Sequence, residues 1–364
     1  MYWKRVNPVL GLCVVVFAMI CLTSQAQAAK HAGAFMENGG GARALGMGGA
    51  FTAIADDPST TFWNPAGLTG STGGELMIMH SELFGDLIDR DFVAYTRPVD
   101  WNLLGGERSG IGISLIRLGM DDIPFTDHLT DSLDVDPADG VISDEELLRL
   151  FDLQDQIRFK SDQEFALMFS YGEQLGQWHM GATVKAVRQS IGSYSSLGIG
   201  ADLGFKRPRV WRNLDFGIKL QDITTTYLSW STGHTEIIAP AVVPGLAWRQ
   251  DMPQWNMGLI LAGSLETRFQ NRGKADGLDS SSLSANLHLG MELAFSHKVF
   301  LRMGYVSGSD ENSDLQTAVQ SDAWNNITAG AGLRLMPLTV DYAYASDSLG
   351  IDEVTHRISV SYAF

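Results

Sequence analysis

Cysteine is almost absent. The chain of 364 residues has two, Cys13 and Cys21, and both precede Ala29. If the leading segment is removed, disulfides, thiolate metal sites and cysteine nucleophiles are excluded together. Long apolar runs are missing too. After residue 29 no stretch approaches the 18 consecutive apolar residues that a membrane-crossing helix needs. Basic residues are few, 26 against 42 acidic. Phosphate binding needs clustered Lys and Arg, so nucleic acid is excluded as a partner. Signs of catalysis are also lacking. No serine sits in a Gly-x-Ser-x-Gly elbow. The 8 histidines are scattered with no metal-ligand pair. His179 and His288 fall on inward strand faces, as lumen-lining residues would. The expectation is a protein that is not an enzyme.

What is present begins with an export signal. Lys4 and Arg5 give a positive start, Val9 to Leu22 is apolar, and Ala26-Gln27-Ala28 is a small-x-small cleavage pattern. Residues 1–29 are therefore expected to be a signal peptide, with the mature chain starting at about Ala29 or Lys30. Met19-Ile20 ahead of Cys21 lacks the small residue of a lipoprotein signal. Without Lys4 and Arg5 the remainder carries 24 basic and 42 acidic residues, a net charge of −18.

From Gly74 to Phe364 one unit repeats: about ten residues of alternation, then a turn or loop. Ile358, Val360, Tyr362 and Phe364 face one way; Arg357, Ser359, Ser361 and Ala363 face the other. Leu197, Ile199, Ala201, Leu203 and Phe205 alternate with Gly198, Gly200, Asp202 and Gly204. Leu214, Phe216, Ile218 and Leu220 alternate with Asp215, Gly217, Lys219 and Gln221. Ile327, Ala329, Ala331, Leu333 and Leu335 alternate with Thr328, Gly330, Gly332 and Arg334. A period of 2 means strands with one apolar and one polar or small face. These strands are long enough to cross a membrane at a tilt. Their polar faces hold glycine and charge (Lys185, Asp202, Lys219, Glu292, Arg334, Asp341), as a wet lumen would. Aromatics gather near strand ends in two sets: Trp101, Trp178, Trp211 and Trp255, then Tyr227, Trp230, Tyr305 and Trp324. The fold class expected is an all-β membrane protein, an antiparallel transmembrane β-barrel.

The pattern gives fourteen strands: 74–83, 90–98, 109–118, 162–171, 177–188, 196–206, 212–222, 241–250, 255–266, 283–296, 298–307, 325–336, 338–346 and 354–364. Twelve or sixteen also fit the boundaries. Connections after even-numbered strands are mostly short (Arg207 to Trp211, Asp251 to Gln254, Ser296-His297, Met336-Pro337). Those after odd-numbered strands are mostly long (119–161, 223–240, 267–282, 308–324). Outer-membrane barrels have short periplasmic turns and long outer loops. Both chain ends are therefore expected in the periplasm. The last strand, ending on Phe364, is where barrel-assembly machinery would engage the chain. The outer apolar face would meet outer-membrane lipid.

Residues 30–73 do not alternate. Gly46, Gly48 and Gly49 lack the strand and βαβ setting of a nucleotide loop. Small residues instead suit close packing, and Asp56-Asp57-Pro58 and Asn64-Pro65-Ala66-Gly67 suit turns. Such a segment, ahead of the barrel at residues 74–364, is placed to fold into the lumen as a plug.

The stretch Gly41 to Ala50, followed by Ala55-Asp56-Asp57-Pro58 and Trp63-Asn64-Pro65-Ala66-Gly67-Leu68, resembles the N-terminal signature of FadL-type barrels. It is especially similar to the branch with PorV and PorQ. The likeness is specific over about thirty residues; elsewhere it is architectural. It implies a fourteen-stranded barrel with an N-terminal hatch and Asn64, Pro65, Ala66 and Gly67 inside it. It implies one of two roles. FadL-type members move long-chain fatty acids or other hydrophobic compounds; PorV-like members receive secreted proteins in type IX secretion.

Within the loop 119–161, Asp134 to Phe151 resembles an EF-hand or dockerin calcium loop with its exiting helix. Gly140 would make the sharp bend and Ile142 the hydrophobic position. The ligands would be Asp134, Asp136, Asp139, the Val141 carbonyl and Glu146. Asp134 and Asp136 stand one position early for that pattern. An acidic, solvated loop is the alternative. Calcium is thus the one cofactor the sequence suggests. Calorimetry on the full chain in detergent should record heat on calcium addition, and Asp136→Ala should abolish it. Equal heats from both proteins would remove the site.

Overall fold

The computed structural model describes residues 33–36, 39–83, 87–125, 127–129, 154–269, 284–307, 327–346 and 354–364. Alternation produces strands wherever it runs unbroken. These are β1 Glu75–Leu83, β2 Ile88–Val99, β3 Ser109–Phe125, β4 Arg158–Leu175, β5 Trp178–Ile191, β6 Tyr194–Trp211, β7 Leu214–Gln221, β8 Thr226–Trp230, β9 Thr235–Ile238, β10 Ala241–Met252, β11 Met257–Arg268, β12 Ser284–Phe295, β13 Val299–Val306, β14 Ile327–Leu335, β15 Leu338–Ser346 and β16 Val354–Ala363. Every neighbouring pair is antiparallel, and β1 pairs with β16 as well as β2, which closes the sheet.

The wall has fourteen strands, because β8 and β9 are continuations. β7 pairs with β10 up to Gln221↔Ala241, and β8 pairs with β9 from Thr226↔Ile238. One long hairpin is thus interrupted at Asp222–Thr225 on one arm and at Ala239-Pro240 on the other. β6 pairs with β7 through Leu203 to Arg207 and with β8 through Ser196 to Ile199. Half of the span 223–240, expected as a loop, is therefore wall. Asp222 and Thr225 have positive φ, 53° and 56°. The inward face switches from odd numbers in β7 to even numbers in β8. That phase reversal hides the strand from a period-2 reading.

Elsewhere the two faces fall as the alternation dictates. Ile199 is 67 % and Phe169 54 % exposed, with Ile78, Val184, Leu197, Met303 and Val360 on the same outer surface. A belt of this kind is a liability in water and the right surface for lipid. Trp101, Trp178, Trp211, Trp255 and Tyr227 are exposed as well. Arg207 covers the Trp178 ring at 5.3 Å and Arg212 the Trp211 ring at 5.1 Å. Trp324 lies outside the described residues. Phe364 donates its N–H to Gly74 O at 2.8 Å and sets its ring edge-on to Tyr362 and Tyr95. That fixes the last residue against the entrance to the first strand.

Candidate functional site

The inner face of the wall is met by residues 39–71. Two short helices, Ala42–Leu45 and Thr60–Trp63, and a 3-10 helix, Pro65–Gly70, carry this segment. The 3-10 helix contacts strands from β2 to β6, and the helix Ala42–Leu45 contacts β14 to β16. Close approach requires glycine on the wall. A Cβ on Gly181 would lie 2.3 Å from Pro65 C, one on Gly204 2.1 Å from Asn64 Oδ1, and one on Gly304 2.1 Å from Gly48 N.

The motif Asn64, Pro65, Ala66, Gly67 sits against β4, β5 and β6. Asn64 is fully buried. It donates from Nδ2 to Thr52 O at 2.9 Å and Phe205 O at 3.2 Å, and its Oδ1 accepts from Ala66 N at 3.2 Å. Pro65 starts the 3-10 helix, where its fixed φ suits and its missing N–H costs nothing. A Cβ on Gly67 would meet Ala55 O at 2.0 Å. Each motif residue thus has a packing reason. Asp134, Asp136, Asp139, Val141 and Glu146 lie outside the described residues, as does the leading segment 1–29.

Charges tie this segment to the wall. Arg43 grips Glu292 with Nε to Oε2 at 2.7 Å and Nη2 to Oε1 at 2.9 Å, and reaches Asp56 at 2.6 Å. Arg302 joins the same Glu292 at 2.7 Å and Asp341 at 2.6 Å. Arg249 links Asp56 at 3.2 Å to Asp215 at 2.8 Å. Lys206 donates to Ile54 O at 2.6 Å and Lys219 to Phe62 O at 2.6 Å. His288 is bonded to Gly48 O at 2.7 Å and His179 to Thr69. Burial, with the Asp56 charge beside it, pushes the Asp57 carboxyl up against the pull of Arg43. Arg334 stacks over the Phe300 ring at 4.9 Å. Among the described residues no group of His, Asp and Glu could hold a metal ion.

Five of the six inward charges expected from sequence, all but Arg334, fall into two networks. Glu292 and Asp341 belong to the first. Lys185, Asp202 and Lys219 form the second, beside the break between β7 and β8. Lys185 Nζ is 2.8 Å from Asp202 and 2.7 Å from Asp222. The break is stitched by Ile223 N to Ala201 O at 3.0 Å, Ala201 N to Thr224 Oγ1 at 3.1 Å and Asp222 N to Asp202 Oδ1 at 2.8 Å. Side chains there stand in for ladder bonds.

Two environments follow along the barrel axis. At the short-turn end a polar vestibule of about 500 Å³ is lined by Arg43, Asp56, Glu75, Arg249, Glu292 and Arg334, among others. Further toward the long-loop end lies an apolar cluster inside the wall. It contains Phe35, Met36, Phe62, Met77, Met79, Phe92, Ile116, Met168, Val187, Leu228 and Ile238. Sequence reading put polar and small residues on the inward faces and missed this cluster. The signal was available in Met77, Met79, Phe92, Ile116 and Met168, apolar residues on the face that is polar elsewhere.

Closed antiparallel wall, fourteen strands, lipid-type belt and wet inner face together define an outer-membrane-type β-barrel. No family model matches the sequence, and no curated protein matches it. Solved structures do. One is the monoaromatic hydrocarbon channel CymD, at 14% identity over 90% of this chain and 98% of that one, TM-score 0.52. Another is a deletion mutant of the monoaromatic hydrocarbon channel TodX, at 14% identity over 89% and 98%, TM-score 0.50. A FadL homologue of Pseudomonas aeruginosa aligns at 12% identity over 86% and 95%, TM-score 0.48. At these identities the first two carry the fold.

Proposed function

We propose that the protein is an outer-membrane channel for hydrophobic small molecules, with residues 39–71 as its hatch. One observation carries the reading. The apolar cluster inside the wall includes Leu228 and Ile238, on the two arms that are interrupted at Asp222–Thr225 and Ala239-Pro240. Apolar packing inside a barrel, continued onto strands whose pairing is interrupted, suits a guest that prefers lipid to water. The outer loops would capture the compound and the cluster would hold it. It would leave through the interrupted strand or past the hatch into the vestibule. In this reading the short-turn end and both termini face the periplasm. Phe364 presents the final strand to the assembly machinery. Similarity in fold to hydrocarbon channels agrees with this.

A deletion strain tests it. Growth on long-chain fatty acids or aromatic hydrocarbons should fall and return on complementation, while secretion of surface proteins stays unchanged. Loss of secretion with normal growth would move the protein to the PorV-like, protein-receiving role. If neither changes, both roles fail.

A further inference from the structure

Buried polar atoms without partners are uncommon in folded proteins, and each needs a reason. Nine such side-chain atoms occur among the described residues. Four of them lie in one patch of three adjacent strands: Arg90 Nε, Arg90 Nη1, Ser81 Oγ and Ser359 Oγ. The register explains the clustering. Ser81 on β1 pairs with Arg90 on β2 and with Arg357 on β16. Ser359 lies one inward step from Arg357 and pairs with Met79, two residues from Ser81. All four polar residues are buried on the inner face.

We infer that this patch is a binding site for an oxyanion, a carboxylate or phosphate group, held by Arg90, Ser81 and Ser359 beside Arg357. Arg90 is completely buried. Its one described bond runs from Nη2 to the carbonyl of Gly39, which leaves Nε and Nη1, with three N–H bonds between them, unanswered. Arginine keeps its charge, so it cannot escape the cost of burial by losing a proton. A water could answer the hydrogen bonds but not the charge. An oxyanion answers both. Adjacent strands lie roughly 4.8 Å apart, so Arg90 and Arg357 are about 10 Å apart at the backbone, with Ser81 between them. Arg90 and Ser81, one strand apart, can meet one anion. Among the described residues, the inward carboxylates in register are engaged elsewhere: Asp341, opposite Ser359, by Arg302 at 2.6 Å, and Glu164, two strands from Arg90 through Leu118, by Gln189 at 2.5 Å.

The inference goes beyond the channel reading and stands without it. It also says something about the hatch. Gly39 holds Arg90, and Gly40 packs against Phe92, where an added Cβ would lie 2.7 Å from the ring. The unpartnered N–H groups are shut off from solvent, so the anion reaches them when this glycine pair moves aside. Phe92 and Met79 form the next inward row, which gives an apolar bed for any carbon chain carrying the anion.

The test uses the full chain in a nonionic detergent and follows its thermal unfolding midpoint against added inorganic phosphate, and separately against decyl phosphate. Wild type should show a saturable rise with at least one of them. Arg90→Gln should weaken that binding at least tenfold, and Ser81→Val should weaken it as well. If Arg90→Gln yields no folded barrel, Ser81→Val and Ser359→Ala carry the comparison. Saturation with phosphate identifies a free oxyanion. Saturation with decyl phosphate alone identifies an oxyanion borne on an apolar chain. No saturable rise with either probe, or equal binding in wild type and the variants, overturns the site.

Discussion

Replacing Lys185 with methionine should destabilise the barrel by about 3–5 kcal/mol, the usual loss when one partner of a buried charge cluster is removed. Lys185 is 3 % exposed and bridges Asp202 at 2.8 Å and Asp222 at 2.7 Å. Methionine keeps the length of the side chain and removes the charge. Asp202 then keeps Lys219 at 3.6 Å, and Asp222 loses its ion pair. Asp222 also accepts from Thr226 Oγ1 at 2.6 Å, so the damage falls on the join between β7 and β8. Urea unfolding followed by tryptophan fluorescence measures the loss. Pairing Lys185→Met with Asp222→Asn removes opposite charges together and should recover part of it. A single variant within roughly 0.5 kcal/mol of wild type, the range of ordinary surface substitutions, would show that the cluster does not hold this join.

The second large effect concerns the hatch. Gly304→Val should leave the wall closed and force residues 39–71 out of position. A Cβ at Gly304 would lie 2.1 Å from Gly48 N and 2.3 Å from Met47 C, both backbone atoms that no rotamer change can clear. Overpacking of this kind costs about 1–3 kcal/mol or more. Here that cost bears on docking of the segment rather than on strand pairing. Ion conductance in planar bilayers should rise, and the segment should become open to protease. Gly263→Val is the matched control. Its Cβ would meet nothing closer than a leucine methyl at 3.4 Å. A folded Gly304→Val barrel with unchanged conductance would end the reading of this segment as a stopper.

The wall was largely legible in the sequence because alternation and burial are one signal. Leu197 to Phe205 and Ile358 to Phe364 put the same residues outward in the strand pattern and in the structure. Legibility failed where the phase slipped. Asp222 and Thr225, in left-handed backbone, turn the following residues over, so Thr226, Leu228 and Ser229 read as a loop. The segment 39–71 was legible as small and turn-rich, but not its anchors. Arg43 and Glu292 are 249 positions apart, and only the closed barrel brings them together. Gly204 reads as a lumen residue, and Gly181 and Gly304 share its inward face. Their reason, the backbone pressed against each, belongs to the fold. Arg90 reads as one charge on a strand beginning. Its lack of partners becomes visible only when three strands are laid side by side.

If residues 39–71 act as the proposed hatch, their junction with the wall sets how they can travel. The 3-10 helix ends at Gly70 and β1 begins at Glu75. A chain reaches at most about 3.5 Å per residue, so this leash is on the order of 17 Å even when taut. The Asn64 end of the segment is therefore moored to the seam that Phe364 closes. In the proposed channel any opening is a peel that starts with Phe35 and Met36 leaving the apolar cluster and runs toward Pro65, with the far end as its pivot. A bulky partner attached ahead of Gly39 would work against the packing of those two residues. The same partner inserted after Gly70 would lengthen the mooring and let the whole segment float free.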